Sequence, residues 1–321
     1  MVMMAVRRLA RLVVLGVPAL LALGVLALLA LGALSLVAPG AVAAVEAIDD
    51  SGRTVRLAQP ARRIVALAPH VTELLFAAGA GGAIVGAAAY SDHPRAAQFI
   101  PRIGDAHALD LERIVALRPD LIVAWTSGSP QRQLARLRAL GLDVFQNEPR
   151  NLEAIANTIE RLGILAGSSA VAHKRAADFR RDLARIRAAH GGEPPVRVFY
   201  QVADRPLVTI STEHIIADAL RVCGAVNVFA SDRHWLPRPS REAVVLADPD
   251  AIVAAAIPDG ADALAGWRRW TTLRAVGSGR LFTIDPSSLH RATPRILQGI
   301  ELLCRHMRAA RAAGPRDSGH R

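Results

Sequence analysis

At 321 residues and 52% hydrophobic content, the chain is long enough for one large or two medium domains with buried cores. Its 39 Lys+Arg against 28 Asp+Glu leave a formal net charge of +11, a balance that invites a nucleic-acid reading. That reading is set aside. The charge is almost all arginine, with Lys174 the single lysine, and it is scattered through helical stretches such as 174-KRAADFRRDLARIRAAH-190. No aromatic-interleaved basic patch, zinc-finger spacing or RNP-like string accompanies it.

Arg7, Arg8 and Arg11 precede an apolar run from Leu12 to Val37, which is followed by Ala38-Pro39-Gly40 and 41-AVAA-44. A basic start, an apolar middle and an A-x-A pattern make a secretory signal, with the cut after Ala43 or Ala44. The run is also long enough to span a bilayer, so a retained anchor stays open. Both readings place the body of the protein outside the cytoplasm. Cys223 and Cys304 in an exported chain point to one disulfide closing a long loop, with two buried free thiols as the other arrangement.

After the signal, 45-VEAIDDSGRTVRLAQPARRIVAL-67 reads as a strand, a turn at Asp50-Ser51-Gly52, a second strand and a buried strand at Ile64–Leu67. The pattern predicts a helix over 72–78 closed by Gly79, a strand over 83–88, a helix over 111–117 and a strand over 121–125. A further helix closed by Gly141 leads to a strand over 142–145. Strands alternating with helices imply a parallel sheet covered on both faces. Helices over 152–165 and 171–190 follow with no strand between, the second carrying apolar or small residues at 172, 176, 179, 183 and 186. The segment 191-GGEPP-195 stops it. The alternation then resumes with strands over 196–201, near 207–210, 251–255 and 280–284, and helices over 215–223, 241–247, 266–273 and 294–312.

The stretch 111-LERIVALRPDLIVAW-125 is echoed by 240-SREAVVLADPDAIVAAA-256. Each has an acid, an apolar helix, a Pro-Asp turn and an apolar strand, one copy in each half. The expected fold is therefore α/β, with two Rossmann-like lobes joined by a single long helix. The chain divides into a signal or anchor (1–44), an N-terminal lobe (45–166), the linking helix (167–192), a C-terminal lobe (193–313) and a tail (314–321). No G-x-S-x-G elbow, P-loop, G-x-G-x-x-G after a strand or H-E-x-x-H occurs. Two exported lobes without a catalytic signature read as a ligand receptor rather than an enzyme.

The segments 62-RRIVALAPHVTELLFAAGA-80, 90-YSDHP-94, 109-LDLERIVALRPDLIVAW-125, 222-VCGAVNVF-229, 240-SREAVVLADPDAIV-253 and 293-TPRILQGIELLCRHM-307 resemble the periplasmic binding proteins of cobalamin (vitamin B12) ABC importers. The wider family also includes siderophore and haem binders. The resemblance covers about Arg62 to Arg311. It implies a periplasmic monomer that takes a corrinoid into a shallow inter-lobe cleft and passes it to the permease and ATPase of an inner-membrane importer, with no cofactor of its own. Tyr90 and Trp125 match aromatic cleft residues, and Trp235 lies one position from another. Arg291 joins the ligand-binding set. Glu112 and Glu242 match one acidic residue per lobe that docks on permease arginines, and Cys223 and Cys304 match the C-lobe disulfide. Other aromatic positions of the cage align with Ala106, Val202, Val208 and Ser288 or Leu289, which thins it.

Two alternatives remain. A haem or ferric-siderophore receptor of the same fold would use His70, Tyr90 or His107 as an axial ligand, or Arg205, Arg238 and Arg291 as an anion cluster. An exported metal-dependent enzyme would use His70, Glu73, Asp92 and His93. Glu73 is placed in the first turn of its helix, where a carboxylate suits the dipole. His70 is placed just ahead of that helix at the cleft rim, where it hydrogen-bonds a corrin amide, ligates a ligand-borne metal or caps the helix.

Overall fold

The computed structural model describes residues 44–105, 108–190, 192, 194–257 and 260–312. The expected signal or anchor up to Ala43, Ala106, His107 and the expected tail 314–321 lie outside them. Val45–Ile48 (β1) and Thr54–Leu57 (β2) pair antiparallel. Ile64–Ala66 (β3), Ile84–Ala87 (β4), Leu121–Trp125 (β5) and Val144–Asn147 (β6) then form a parallel sheet in the order β4-β3-β5-β6. Helices Pro69–Ala77 (α1), Leu111–Ala116 (α2), Gln131–Ala139 (α3) and Leu152–Ala166 (α4) belong to this lobe.

Ser169–His190 (α5) is a single 22-residue helix, about 33 Å long at 1.5 Å per residue. Beyond it, Val196–Gln201 (β7) is followed by a small antiparallel pair, Ala203–Asp204 (β8) and Leu207–Val208 (β9). Ala225–Asn227 (β10), Ala251–Ala255 (β11) and Leu281–Ile284 (β12) complete a second parallel sheet, ordered β10-β7-β11-β12. Both sheets are thus wound 2-1-3-4, and the order reverses between the first and third strands. Helices Ile215–Val222 (α6), Arg241–Ala247 (α7), Ala265–Arg268 (α8), Arg274–Gly277 (α9), Pro286–Leu289 (α10) and Ile296–Ala312 (α11) cover it.

The Pro-Asp echo is the same joint built twice. Asp120 accepts from the backbone N–H groups of Arg62 and Arg63, and the Arg63 guanidinium donates to the carbonyls of Leu117 and Arg118 at the end of α2. Asp250 accepts from Arg197 N, and the Arg197 guanidinium donates to the carbonyls of Ala247 and Asp248 at the end of α7. Arg118 (φ 45°) and Asp248 (φ 39°) both turn left-handed just ahead of the proline. Each aspartate therefore satisfies the start of one strand while the neighbouring arginine satisfies the orphan carbonyls of a helix end.

One buried cluster runs from Ile64, Leu74 and Phe145 through Phe179, Leu183 and Ile186 of α5 to Val198, Tyr200 and Leu303. The buried face of α5 includes Ala172, Ala176, Phe179, Leu183 and Ile186, as its spacing predicts. Gly163 lets α4 press against it, since a Cβ there would lie 2.2 Å from the Cβ of Ala172. Cys223 and Cys304 are joined by a disulfide, each 1% exposed, which ties the end of α6 to the middle of α11.

Several expectations shift. The first helix begins at Pro69 rather than Thr72 because proline suits a helix's first turn. The strand predicted over 142–145 lies at 144–147, where Gln146 and Asn147 are buried by hydrogen bonds rather than apolarity. The helix predicted over 266–273 is only the short Ala265–Arg268, with a second short helix, Arg274–Gly277, starting beyond the predicted span, and β10 and α10 carry no periodic signal in so few residues. Among the described residues no helix is long and apolar enough to cross a membrane.

Candidate functional site

In open α/β sheets ligands gather outside the carboxyl ends of the strands, where strand order reverses. In the N-terminal lobe that point lies between β3 and β5. His70 follows β3, and Trp125 ends β5. Both line a cavity of about 200 Å³, whose other walls include Glu148, His214, Trp235, His290 and Arg291. It therefore draws residues from both lobes. The volume falls below the roughly 300–1,000 Å³ of pockets that enclose a drug-sized ligand. A larger depression of about 630 Å³ is lined by Pro194, Asp250, Arg274 and Arg311. It opens at the amino ends of the second sheet's strands, the wrong end for a ligand site in such folds.

Trp125 is held by its own turn. Its indole N–H donates to Glu148 Oε1 at 3.1 Å, and Glu148 Oε2 accepts from Ser127 N at 2.8 Å. A Cβ at Gly128 would sit 1.9 Å from the indole Cε3, so only glycine lets the turn pass over the ring. Ser127-Gly128-Ser129 is thus the cradle of Trp125. His70 packs edge-on to this ring, at 5.3 Å between centroids and 85° between planes. It is the second residue of α1 rather than the residue before it, and only 7% exposed. Its buried Nε2 makes no well-formed hydrogen bond, although the Asn147 side chain interacts with the ring and favours its charged form. Burial lowers its pKa to about 4, so the imidazole is neutral at pH 7.

Trp235 stands on the C-terminal side, 5.1 Å from the His214 ring, with the Arg150 guanidinium 5.4 Å from its centroid. Its indole nitrogen is buried without a partner. His214 Nδ1 accepts from Ile216 N at 3.1 Å and caps α6, which leaves Nε2 to carry the proton of the neutral ring. His290 Nε2 lies 2.9 Å from the hydroxyl of Tyr200, whose burial pushes the phenol well above its usual range. Burial lowers both His214 and His290 to about 4. The cavity therefore combines two indoles with three uncharged imidazoles.

Arg291 lines the cavity, yet its terminal nitrogens turn to the other lobe. Nη1 donates to Glu73 Oε1 (3.0 Å) and Asp92 Oδ1 (2.5 Å), and Nη2 to the Tyr90 carbonyl (3.3 Å). Arg295 grips Glu73 with two bonds, Nε to Oε2 at 2.8 Å and Nη2 to Oε1 at 2.6 Å. Glu73 occupies the second turn of α1, with its side chain 3% exposed, so it is an ion-pair centre rather than the expected first-turn partner of the helix dipole. Tyr90 is 77% exposed in a left-handed conformation (φ 62°), and its ring does not line the cavity.

The remaining candidates disperse. Arg205 is 93% exposed beside Asp204, and neither it nor Arg238 lines the cavity, so no anion cluster forms with Arg291. Among the described residues no group of three His, Cys, Asp or Glu side chains is placed to hold a metal ion. The carboxylates of the expected metal quartet, Glu73 and Asp92, are tied to arginines. Glu112 and Glu242 are exposed at the second position of α2 and α7, behind the caps Asp110 and Ser240. Hydrogen bonds from its own backbone N–H and from Ser240 hold the Glu242 carboxyl below its usual range.

A family described as periplasmic binding protein matches residues 64–288. The vitamin B12-binding protein of Vibrio cholerae is 36% identical over 254 residues, which are 78% of this chain and 91% of that protein. The vitamin B12-binding protein of Yersinia pestis is 34% identical over 250 residues, 78% of this chain and 88% of that one. The crystal structure of the Vibrio cholerae protein superposes with a TM-score of 0.72, covering 78% of this chain and 98% of that one. A periplasmic heme binding protein from Pseudomonas aeruginosa, 27% identical, gives 0.66 over 76% of this chain and 91% of its own. The chain belongs to the periplasmic binding protein family, and its two matching lobes are that family's fold.

Proposed function

We propose that the protein captures a corrinoid, cobalamin or a close relative, between its lobes in the periplasm and hands it to an inner-membrane ABC importer. The observation that carries this reading is the placement of Trp125 and Trp235 on the two walls of a cavity at the strand-order switch. Flat aromatic rings bury large ligand area at small entropic cost. The neutral imidazoles of His70, His214 and His290 add polar groups without net charge, which suits the amide fringe of a corrin. The similarity to cobalamin-binding relatives from Vibrio cholerae and Yersinia pestis supports the same ligand class. Capture is non-covalent, and the role is that of a receptor, not an enzyme. Titration with cyanocobalamin, cobinamide and haemin, followed by tryptophan quenching and visible spectra, tests it. Saturable quenching by the corrinoids is expected, and no corrinoid binding at micromolar concentration overturns the reading.

Haem is the second reading. It is favoured by those same uncharged imidazoles, which suit axial ligation of a ligand-borne iron, and by the similarity to the Pseudomonas aeruginosa protein. A Soret shift with haemin that disappears in His70→Ala would support it over the first.

Delivery rests on Glu112 and Glu242. They occupy equivalent positions ahead of the duplicated Pro-Asp joints and face solvent, one on each lobe. Two carboxylates so placed suit a two-fold membrane partner that offers arginines. Reversing both to Arg is expected to abolish uptake in cells while sparing ligand binding in vitro; unchanged uptake refutes the docking role.

A further inference from the structure

Arg291, one wall of the cavity, takes part in an ion-pair cluster that joins the two lobes. Glu73 in α1 and the pair Arg291 and Arg295 near the start of α11 are separated by 218 and 222 residues, and they meet across the two lobes. The carboxylate is 3% exposed and takes three hydrogen bonds, two from Arg295 and one from Arg291. Arg291 and Arg295 are themselves mostly covered, at 18% and 22% side-chain exposure. Asp92 closes the cluster from the exposed side, and Arg291 holds its carboxyl below the usual range. Two acids and two guanidinium groups give no net charge, so the cluster is satisfied internally.

Another cross-lobe ion pair next to the cavity is different in kind. Arg150 and Glu213 approach to 3.7 Å, but their side chains are 56% and 69% exposed. Such a pair contributes little and is screened by salt. A covered bidentate carboxylate–guanidinium contact is geometrically specific, and removing one partner strands the charge of the other.

We infer that Glu73 is the positioning residue of the cleft: by gripping Arg291 and Arg295 it fixes the spacing of the two walls before any ligand arrives. The functional part of this inference rests on the receptor reading, while its mechanical part does not. A cleft set in advance loses little entropy on binding and favours a rigid, broad ligand such as a planar macrocycle over a small flexible solute. Arg291 acts in this arrangement as wall and tie together, with Glu73 determining where its guanidinium stands.

The test is Glu73→Gln, which keeps size and shape and removes the charge. Hydrogen exchange of the ligand-free protein should rise at least about tenfold in the segments 70–73 and 290–296, with strands 122–124 and 198–200 unchanged. Cyanocobalamin affinity should fall by about tenfold, and Glu73→Asp should recover part of both effects by restoring the charge on a shorter arm. Glu301→Gln, which removes the exposed partner of Arg185, should alter neither. Unchanged exchange in Glu73→Gln overturns the inference, as does exchange rising equally through the whole molecule. If the wild type binds no corrinoid, the ligand reading fails and the exchange result still judges the tie. If Glu73→Gln does not fold, Arg295→Lys, which keeps charge but loses the fork, is read by the same exchange pattern.

Discussion

Lowering the pH from 7 to 4.5 should destabilise this protein through the cavity itself. His70, His214 and His290 all line it, and burial lowers each from 6.5 to about 4. The unfolded chain takes up these protons near pH 6.5 and the folded chain only near pH 4. Their contribution to stability is therefore whole above pH 6.5, declines as pH falls through the window from 6.5 to 4, and changes no further below it. At 1.36 kcal/mol per unit, each imidazole accounts for roughly 2.5 kcal/mol of loss by pH 4.5. The three do not simply add, because protonated His290 opposes protonation of His214, while Glu73 favours the charge on His70 and Arg291 opposes it. Asp285 favours the charge on His290. Urea unfolding followed by far-ultraviolet circular dichroism at several pH values measures the slope. His290→Gln, which keeps an acceptor for Tyr200, should reduce the loss between pH 7 and 4.5 by about 2 kcal/mol. An NMR titration that puts these imidazoles near 6.5, or an unchanged slope in His290→Gln, refutes the reasoning.

Trp125→Ala should weaken corrinoid binding by at least about tenfold while costing only about 1–2 kcal/mol of stability, because the ring is half-buried. Trp267→Ala should show the reverse, a loss of about 3–5 kcal/mol with little change in affinity, since that ring is fully buried away from the cavity. Thermal unfolding and ligand titration of both variants separate the two roles, and a Trp125→Ala variant as unstable as Trp267→Ala would place Trp125 in the core. Replacing Cys223 and Cys304 with Ala opens a loop of 81 residues, which chain entropy values at about 4.5 kcal/mol. A loss under about 1 kcal/mol in urea unfolding would mean that α11 docks without help from the bridge.

The duplicated Pro-Asp motif was readable because its physics is local. The left-handed residue, the proline and the aspartate lie next to one another, and their partners Arg63 and Arg197 begin a neighbouring strand each time. The long helix was readable because its buried positions follow a helical period over six turns. Trp125 and Trp235 stood out as rare aromatics at strand ends or in loops. His214 and His290 carried no such signal: one caps a short helix, the other follows one, and only folding turns both toward the same space. The β6 register slipped by two residues because Gln146 and Asn147 look like loop. They are buried through bonds to Asp49 and Thr158, more than ten residues away in each case.

Glu73 was the least legible residue and the one whose meaning changed most. On its own helix it resembles any carboxylate near a positive end, and the one basic side chain within a helical turn of it is the buried, uncharged His70. Its partners sit more than two hundred residues later, in 291-RATPR-295, a stretch whose own pattern announces only the start of a helix. Periodicity reports what a segment does with its immediate neighbours, so it detects lobes and misses the bonds between lobes. A receptor's function resides largely in those bonds. Cross-lobe side chains such as Glu73, Arg291 and Arg295 set how far apart the walls stand, whereas Trp125 and Trp235 supply the surface that the walls present. Aromatic positions alone would therefore describe what kind of ligand the protein favours, and the carboxylate describes how much room it is given.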